Sequence, residues 1–355
     1  MPARARRRST AAAIALASAV TGTALLLTGC GPDEIAKAAP PAATAPGGAT
    51  APTAPGNPAD TPGNPATPAA GAPTATAAPT KSTRPAMNGT GGSRLTISNG
   101  TQYVLLNGTS VDFGTAVRDL AWSSDGSKAV FVDGDGDLVT ANPDGSGRVV
   151  VAKHLPGQSW SHPAWHYVAA DQTNLTARKD IFFVSTAGGV TSLETVPADS
   201  ADGTPTPLDL SSAMDGVQNM PQTANTWPNG AGTKGTVVFA NTQTGDIYLR
   251  DDYLRQMVSQ VAAGSEPTVT ADGEEVVFVR SVGGHDHVFE QNLQTPQAPA
   301  TDLTPNATTD YTEPALSPDG TTIAVRTPDG IASLPADGSA APTLISTHPG
   351  LPAYR

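Results

Sequence analysis

One cysteine in 355 residues excludes any disulfide within the chain. Cations are scarce: 20 Lys and Arg stand against 32 Asp and Glu, a formal net charge of −12. Four of those cations, Arg4, Arg6, Arg7 and Arg8, crowd the N-terminus, so the rest of the chain is more acidic still. With no basic cluster beyond them the chain repels phosphate backbones, which argues against nucleic acid as a partner; calcium or a cationic surface fits better. Aromatic residues are missing from Gly31 to Gly92, a stretch made almost wholly of Ala, Pro, Thr, Gly and Asn. Such a composition cannot bury enough apolar surface to offset its ordering entropy. Prolines recur through it every few residues, fixing φ and favouring extended polyproline conformations. Residues 30–92 therefore read as a disordered linker, a spacer that reaches on the order of 150–190 Å at full extension. The remaining residues, 93–355, suit a single all-β domain.

One long apolar run stands out, from Ala11 to Leu27. Preceded by the four arginines, it has the layout of a secretory signal, and it lies at the lower limit of the roughly 17–25 residues that span a bilayer. It closes on Leu27-Thr28-Gly29-Cys30. This sequence resembles the lipobox of bacterial lipoproteins. The resemblance implies that residues 1–29 are a signal peptide, that Cys30 carries a diacylglycerol, and that the protein is anchored to the extracytoplasmic face of the cell membrane. Arg7-Arg8-Ser9-Thr10-Ala11 also faintly resembles a twin-arginine signal; Sec export is the default.

A phrase recurs in the folded part. It reads Leu120-Ala121-Trp122-Ser123-Ser124-Asp125-Gly126, then Pro163-Ala164-Trp165, Pro221-Gln222-Thr223, Pro267-Thr268-Val269-Thr270-Ala271-Asp272-Gly273 and Pro314-Ala315-Leu316-Ser317-Pro318-Asp319-Gly320. The steps between the third residues are 43, 58, 46 and 47, and periods of this size with several strands each mean propeller blades. Each phrase predicts a short strand and an Asp-Gly turn, then a β-branched strand such as Ala129–Val132 or Ile323–Arg326. A third and a fourth strand complete the unit, as in Leu138–Ala141 and Arg148–Ala152.

Five units are whole, and the chain ends supply a sixth. Three strands open the domain, joined by Asn99-Gly100 and Asn107-Gly108, strong hairpin signals. Leu351-Pro352-Ala353-Tyr354 closes it as a first strand with nothing after it. The C-terminal strand is thus expected to complete the N-terminal blade and clasp a six-bladed β-propeller, which hides the ring ends and favours a monomer. The phrase at 314–320 with Ile323-Ala324-Val325 resembles the repeat of TolB-like six-bladed β-propellers. In that family the propeller docks a peptidoglycan-associated lipoprotein. The family's familiar member carries an added N-terminal α/β domain where this chain has only the linker, so its role does not transfer on fold alone.

Strand direction sorts the loops. The links between blades and the turns after each second strand share one face, which collects Trp160, His162, Asp246, Asp310, Tyr311 and Glu313 among other acids, and this face is the expected binding surface for an envelope protein or cell-wall glycan. Asp133, Asp135 and Asp137 alternate with glycine, a spacing that can wrap Ca²⁺. Leu138 stands where the EF-hand has glycine, and every blade needs a hairpin turn there, so a plain turn is the favoured reading and no cofactor is expected. His285 and His287 flank Asp286 without a clear third ligand. His162 and His166 lie four apart, which matters only on a helix, and none is expected. No Gly-x-Ser-x-Gly is present. A tethered binding scaffold is thus preferred, with a calcium-dependent lactonase or hydrolase as the alternative.

Overall fold

The computed structural model describes residues 87–211, 220–252, 257–295 and 298–355. The leader, Cys30 and the linker as far as residue 86 lie outside the described residues. The described residues form six four-stranded antiparallel sheets. Their innermost strands are Arg118–Trp122, Gln158–Val168, Asn225–Ala231, Ser265–Val269, Thr312–Leu316 and Leu351–Tyr354. These head blades one to six in that order, and each neighbours the innermost strand of the next blade, the sixth returning to the first.

The sixth blade is the clasp. Leu351–Tyr354 pairs antiparallel with Leu95–Ser98, Leu95 facing Tyr354 and Ser98 facing Leu351. Thr96 lies buried at this seam. Its hydroxyl donates to the Ala353 carbonyl at 2.8 Å and accepts the Trp122 indole N–H at 3.0 Å, so one side chain ties the closing strand to blade one. A strap reinforces the closure: Asn88 bridges Ser346 on blade five, and the buried Thr90 accepts the Gly108 N–H from blade six. Among the described residues the docked chain thus includes Met87–Thr90, ahead of the strands expected from composition. The reason is local: Asn88 and Thr90 find backbone partners that a proline would lack.

The core is divided among the blade interfaces. In each second strand, alternate residues face opposite neighbours, as a period of two requires. Ala129 and Phe131 pack with Phe113, Leu120 and Trp122 toward blade six, whereas Val130 and Val132 pack with Trp160, Ile181 and Phe183 toward blade two. The same division gives a cluster between every pair of blades. Both faces of each sheet are therefore apolar, which explains unbroken runs such as Ala-Val-Phe-Val where one-sided sheets would alternate.

Asp-Gly turns follow three innermost strands and share one design. Asp125, Asp272 and Asp319 each accept a hydroxyl from the Ser or Thr two residues earlier and a backbone N–H from two residues later. The Ser123 and Ser127 hydroxyls hold the Asp125 carboxyl down to about 2. Gly126, at φ 67°, makes the turn that a side chain would strain.

Blade three corrects the repeat spacing. Pro221-Gln222-Thr223 is not its innermost strand: Thr223 bridges Ser192 on blade two instead. The equivalent of the repeated phrase is Pro228-Asn229-Gly230, seven residues on. Glycine is needed there because a Cβ on Gly230 would run into the Trp165 carbonyl of the neighbouring strand.

Candidate functional site

Five innermost strands lose register at the same point: between Arg118 and Ala121, Ser161 and Ala164, Thr226 and Asn229, Ser265 and Thr268, and Thr312 and Ala315. Inside each bulge one non-glycine residue sits in the left-handed region: Asp119 at φ 54°, His162 at 49°, Trp227 at 53°, and Glu266 and Glu313 at 51°. Such angles are costly for residues with a Cβ, most of all bulky ones. In four of the five a proline comes next, and a residue without an N–H cannot serve a regular ladder. Bulges re-aim side chains. Here the same device, repeated around the ring, aims five of them at one mouth of the central channel, on the face carrying the blade-to-blade links.

The five residues fall into two linked groups. The His162 N–H donates to Asp119 Oδ2 at 3.1 Å, and its imidazole rests on Trp227 with centroids 3.8 Å apart. Across the mouth, the Glu313 N–H donates to Glu266 Oε2 at 2.6 Å. Both bonds join a bulged residue to the bulged carboxylate of the preceding blade. Arg326 donates to Glu313 Oε1 at 2.9 Å, while the other Glu313 oxygen is buried with no hydrogen-bond partner.

Burial pushes the Glu266 carboxyl above its ordinary range; the Glu313 N–H opposes this and the Glu313 charge adds to it. Glu313 is also pushed up by burial, against the pull of Arg326 and with a contribution from Asp119. Burial holds the His162 imidazole low, against the attraction of Asp119. Two crowded carboxyls that resist ionisation would be relieved by an incoming cation.

These residues open a cavity of about 730 Å³ that runs along the innermost strands through the ring. Trp122, Trp165, Tyr167 and Tyr354 are among its walls. Its far end, where the Asp-Gly turns lie, is lined by Lys128, Lys179 and Arg355 together with Asp125. The volume falls in the range of about 300–1,000 Å³ of small-molecule sites.

Of the residues expected from sequence on this face, His162 and Glu313 line the cavity. The others do not. Trp160 is buried between blades one and two, 4.8 Å from the Phe183 ring, because its alternation on the strand turns it inward. Tyr311 packs against the core between blades four and five. Asp310 is exposed and accepts the Asp286 N–H, with His285 Nδ1 3.2 Å away. Asp246 opens the third strand of blade three and stays half-buried. Asp119, Trp227 and Glu266 were missed. The signal for Asp119 and Glu266 was their place directly before the repeated phrase, the place that His162 and Glu313 also hold. Trp227 holds it only once the phrase of blade three is moved to Pro228.

Asp133, Asp135 and Asp137 lie in a hairpin turn. Asp133 Oδ1 accepts the N–H groups of Asp135 and Asp137 at 2.9 and 3.0 Å, and Asp137 turns to His154. Among the described residues no three His, Cys, Asp or Glu side chains are grouped to hold a metal ion. His285 and His287 engage different aspartates, Asp310 and Asp302.

Fold and cavity together define a six-bladed β-propeller with a bulge-lined channel, structurally similar to TolB. TolB from Acinetobacter baumannii superposes with a TM-score of 0.50 at 17% identity, over 73% of this chain and 65% of that one. Hydrazine synthase from Kuenenia stuttgartiensis gives 0.52 at 14% identity, over 71% of this chain and 42% of that one. The chain thus spans less than two thirds of either structure, and at these identities the likeness is one of fold. No family model matches the chain, and no curated protein matches its sequence.

Proposed function

We propose that the protein is an exported lipoprotein, anchored through Cys30 at the extracytoplasmic face of the cell membrane, whose propeller captures an envelope protein or cell-wall glycan at the bulged mouth of its channel. The observation that carries this reading is the ring of five left-handed, non-glycine residues. Strain repeated at one level of five blades gathers side chains that an ordinary ladder would scatter, and strained backbone persists where it serves a site. The chemistry is that of recognition. Each carboxylate is oriented by a backbone N–H or an arginine, and Trp227 offers an aromatic face.

Cross-linking in the native envelope tests both halves. Asp119→Lys and Glu266→Lys are each expected to reduce recovery of the cross-linked partner by about tenfold or more, as for a central interface charge. Asp144→Lys, on the opposite face, should leave it unchanged. Capture untouched by both mouth variants would refute the site. In the same preparations Cys30→Ala should move the protein out of the detergent phase; a chain that stayed there would refute the lipid anchor.

A further inference from the structure

The two ends of the channel carry opposite charge. At the link face the lining side chains Asp119, Glu266 and Glu313 are acidic; at the far end Lys128, Lys179 and Arg355 are basic. Asp125 is the one lining side-chain carboxylate at that far end among the described residues, and it is engaged by Ser123 and Ser127. The three cationic side chains form no ion pair among the described residues. The Lys128 ammonium donates to Asn142 Oδ1 at 2.7 Å, Lys179 lies over the Tyr167 ring at 5.1 Å, and Arg355 donates to the Gly126 carbonyl at 3.0 Å. The acidic mouth likewise holds more negative charge than its own partners offset: Arg326 pairs with Glu313, and His162, 4.0 Å from Asp119, is held low by burial.

We infer that this dipolar channel binds an extended zwitterion of tetrapeptide length, its ammonium end between Asp119 and Glu266 and its carboxylate end at Lys128 and Lys179. The inference rests on the capture role proposed for the channel and specifies the ligand chemistry. Four to five residues of innermost strand separate the two charged ends, about 13–17 Å at roughly 3.3 Å per residue. A four-residue peptide with free termini spans about the same distance when extended. An ammonium at the acidic mouth compensates the carboxyls of Glu266 and Glu313, which burial first and neighbouring acids second hold back from ionising, and Trp227 gives it a π-face. A carboxylate at the far end meets Lys128 and Lys179, which form no ion pair among the described residues and feel Asp144 and Asp125 only through longer-range attraction. Between the two ends the lining residues Ala121, Ala315 and Ala353 leave room for a backbone with small apolar side chains. A ligand with charge at one end only would satisfy half of the channel.

Calorimetric titration of the full chain with tetra-alanine is the test, beside N-acetyl-tetra-alanine and tetra-alanine amide. Tetra-alanine is expected to bind, and each blocked form to bind about tenfold more weakly. Asp119→Asn with Glu266→Gln keeps both hydrogen-bond acceptors, and in it the penalty for acetylation should vanish while that for amidation persists. Lys179→Met should show the reverse. Blocked and free peptides binding alike, or no binding by a chain that melts cooperatively, would overturn the inference. The outcome separates from that of the capture role: a partner capture that depends on Asp119 alongside an inert tetra-alanine titration sinks the zwitterion and leaves the capture site standing. Loss of both sinks both.

Discussion

Deletion of Pro349–Arg355 is expected to lower the melting temperature on the order of 10–20 °C, the largest effect of any short truncation of the propeller. Four residue pairs join Leu351–Tyr354 to Leu95–Ser98, and ladder bonds contribute about 1 kcal/mol each. The deletion also removes the acceptor of the Thr96 hydroxyl and bares the Trp122 side of blade one. The expected loss is about 5 kcal/mol, and at this size each kcal/mol shifts the midpoint by roughly 2–4 °C. The seam closes a ring, so its loss also leaves the innermost strands of blades five and one without a neighbour on that side. Differential scanning calorimetry reads the result directly. A midpoint unchanged by the deletion would mean that the strap at Met87–Thr90 closes the ring alone.

The second large effect concerns a buried histidine held between two carboxylates. His166 is 2% exposed and stacks on Phe182 at 4.4 Å. Its Nδ1 lies 3.4 Å from Asp180 and its Nε2 3.2 Å from Asp252, which also takes the Arg250 Nε at 2.9 Å. Neither imidazole contact is well aligned as a hydrogen bond. Burial by itself would push the imidazole down; the two carboxylates more than offset it, and the net direction is up. Burial likewise pulls Asp252 up, and His166 and Arg250 together bring it below its ordinary value. The histidine's folded pKa is raised, so its contribution is full below about pH 6.5 and fades as pH rises through the raised folded value. Asp252 contributes above its unfolded pKa and loses that contribution in acid. Thermal stability is therefore expected to fall between about pH 6 and alkaline pH, and a His166→Gln chain should show a flatter profile. Asp252→Ala, which strips a buried carboxylate from two cations, should cost about 3–5 kcal/mol. A wild-type melt that is level or rising across this range would exclude a charged His166.

How much of the molecule was legible in the sequence depends on what each feature repeats. The blades were readable because Asp-Gly turns and β-branched runs recur with the geometry they impose, and the clasp could be read from a blade short of one strand. Blade three escaped because Thr226-Trp227-Pro228-Asn229 carries no Asp-Gly turn, and Pro221 offered a decoy. The site was half legible. Loop faces are set by strand direction, which put His162 and Glu313 on the face where they line the cavity. Trp160 defeated the same reasoning, since the face of a strand end says nothing about which side its alternation selects. Asp119 and Glu266 were hidden for another reason: in a regular ladder they would point between blades, and only the bulge turns them to the channel.

The partition of the core into six interfaces has a consequence for how the chain is ordered. No cluster is shared by more than two adjacent blades, so the fold is blind to where the polypeptide starts. Both ends of the propeller fall inside one blade, side by side, with Leu95 opposite Tyr354. The cut between them is a convention of the gene, since the same ring of neighbours exists whichever inter-blade link is left open. What the position of the cut decides is geography: here it sets Met87–Thr90 at the junction of blades five and six.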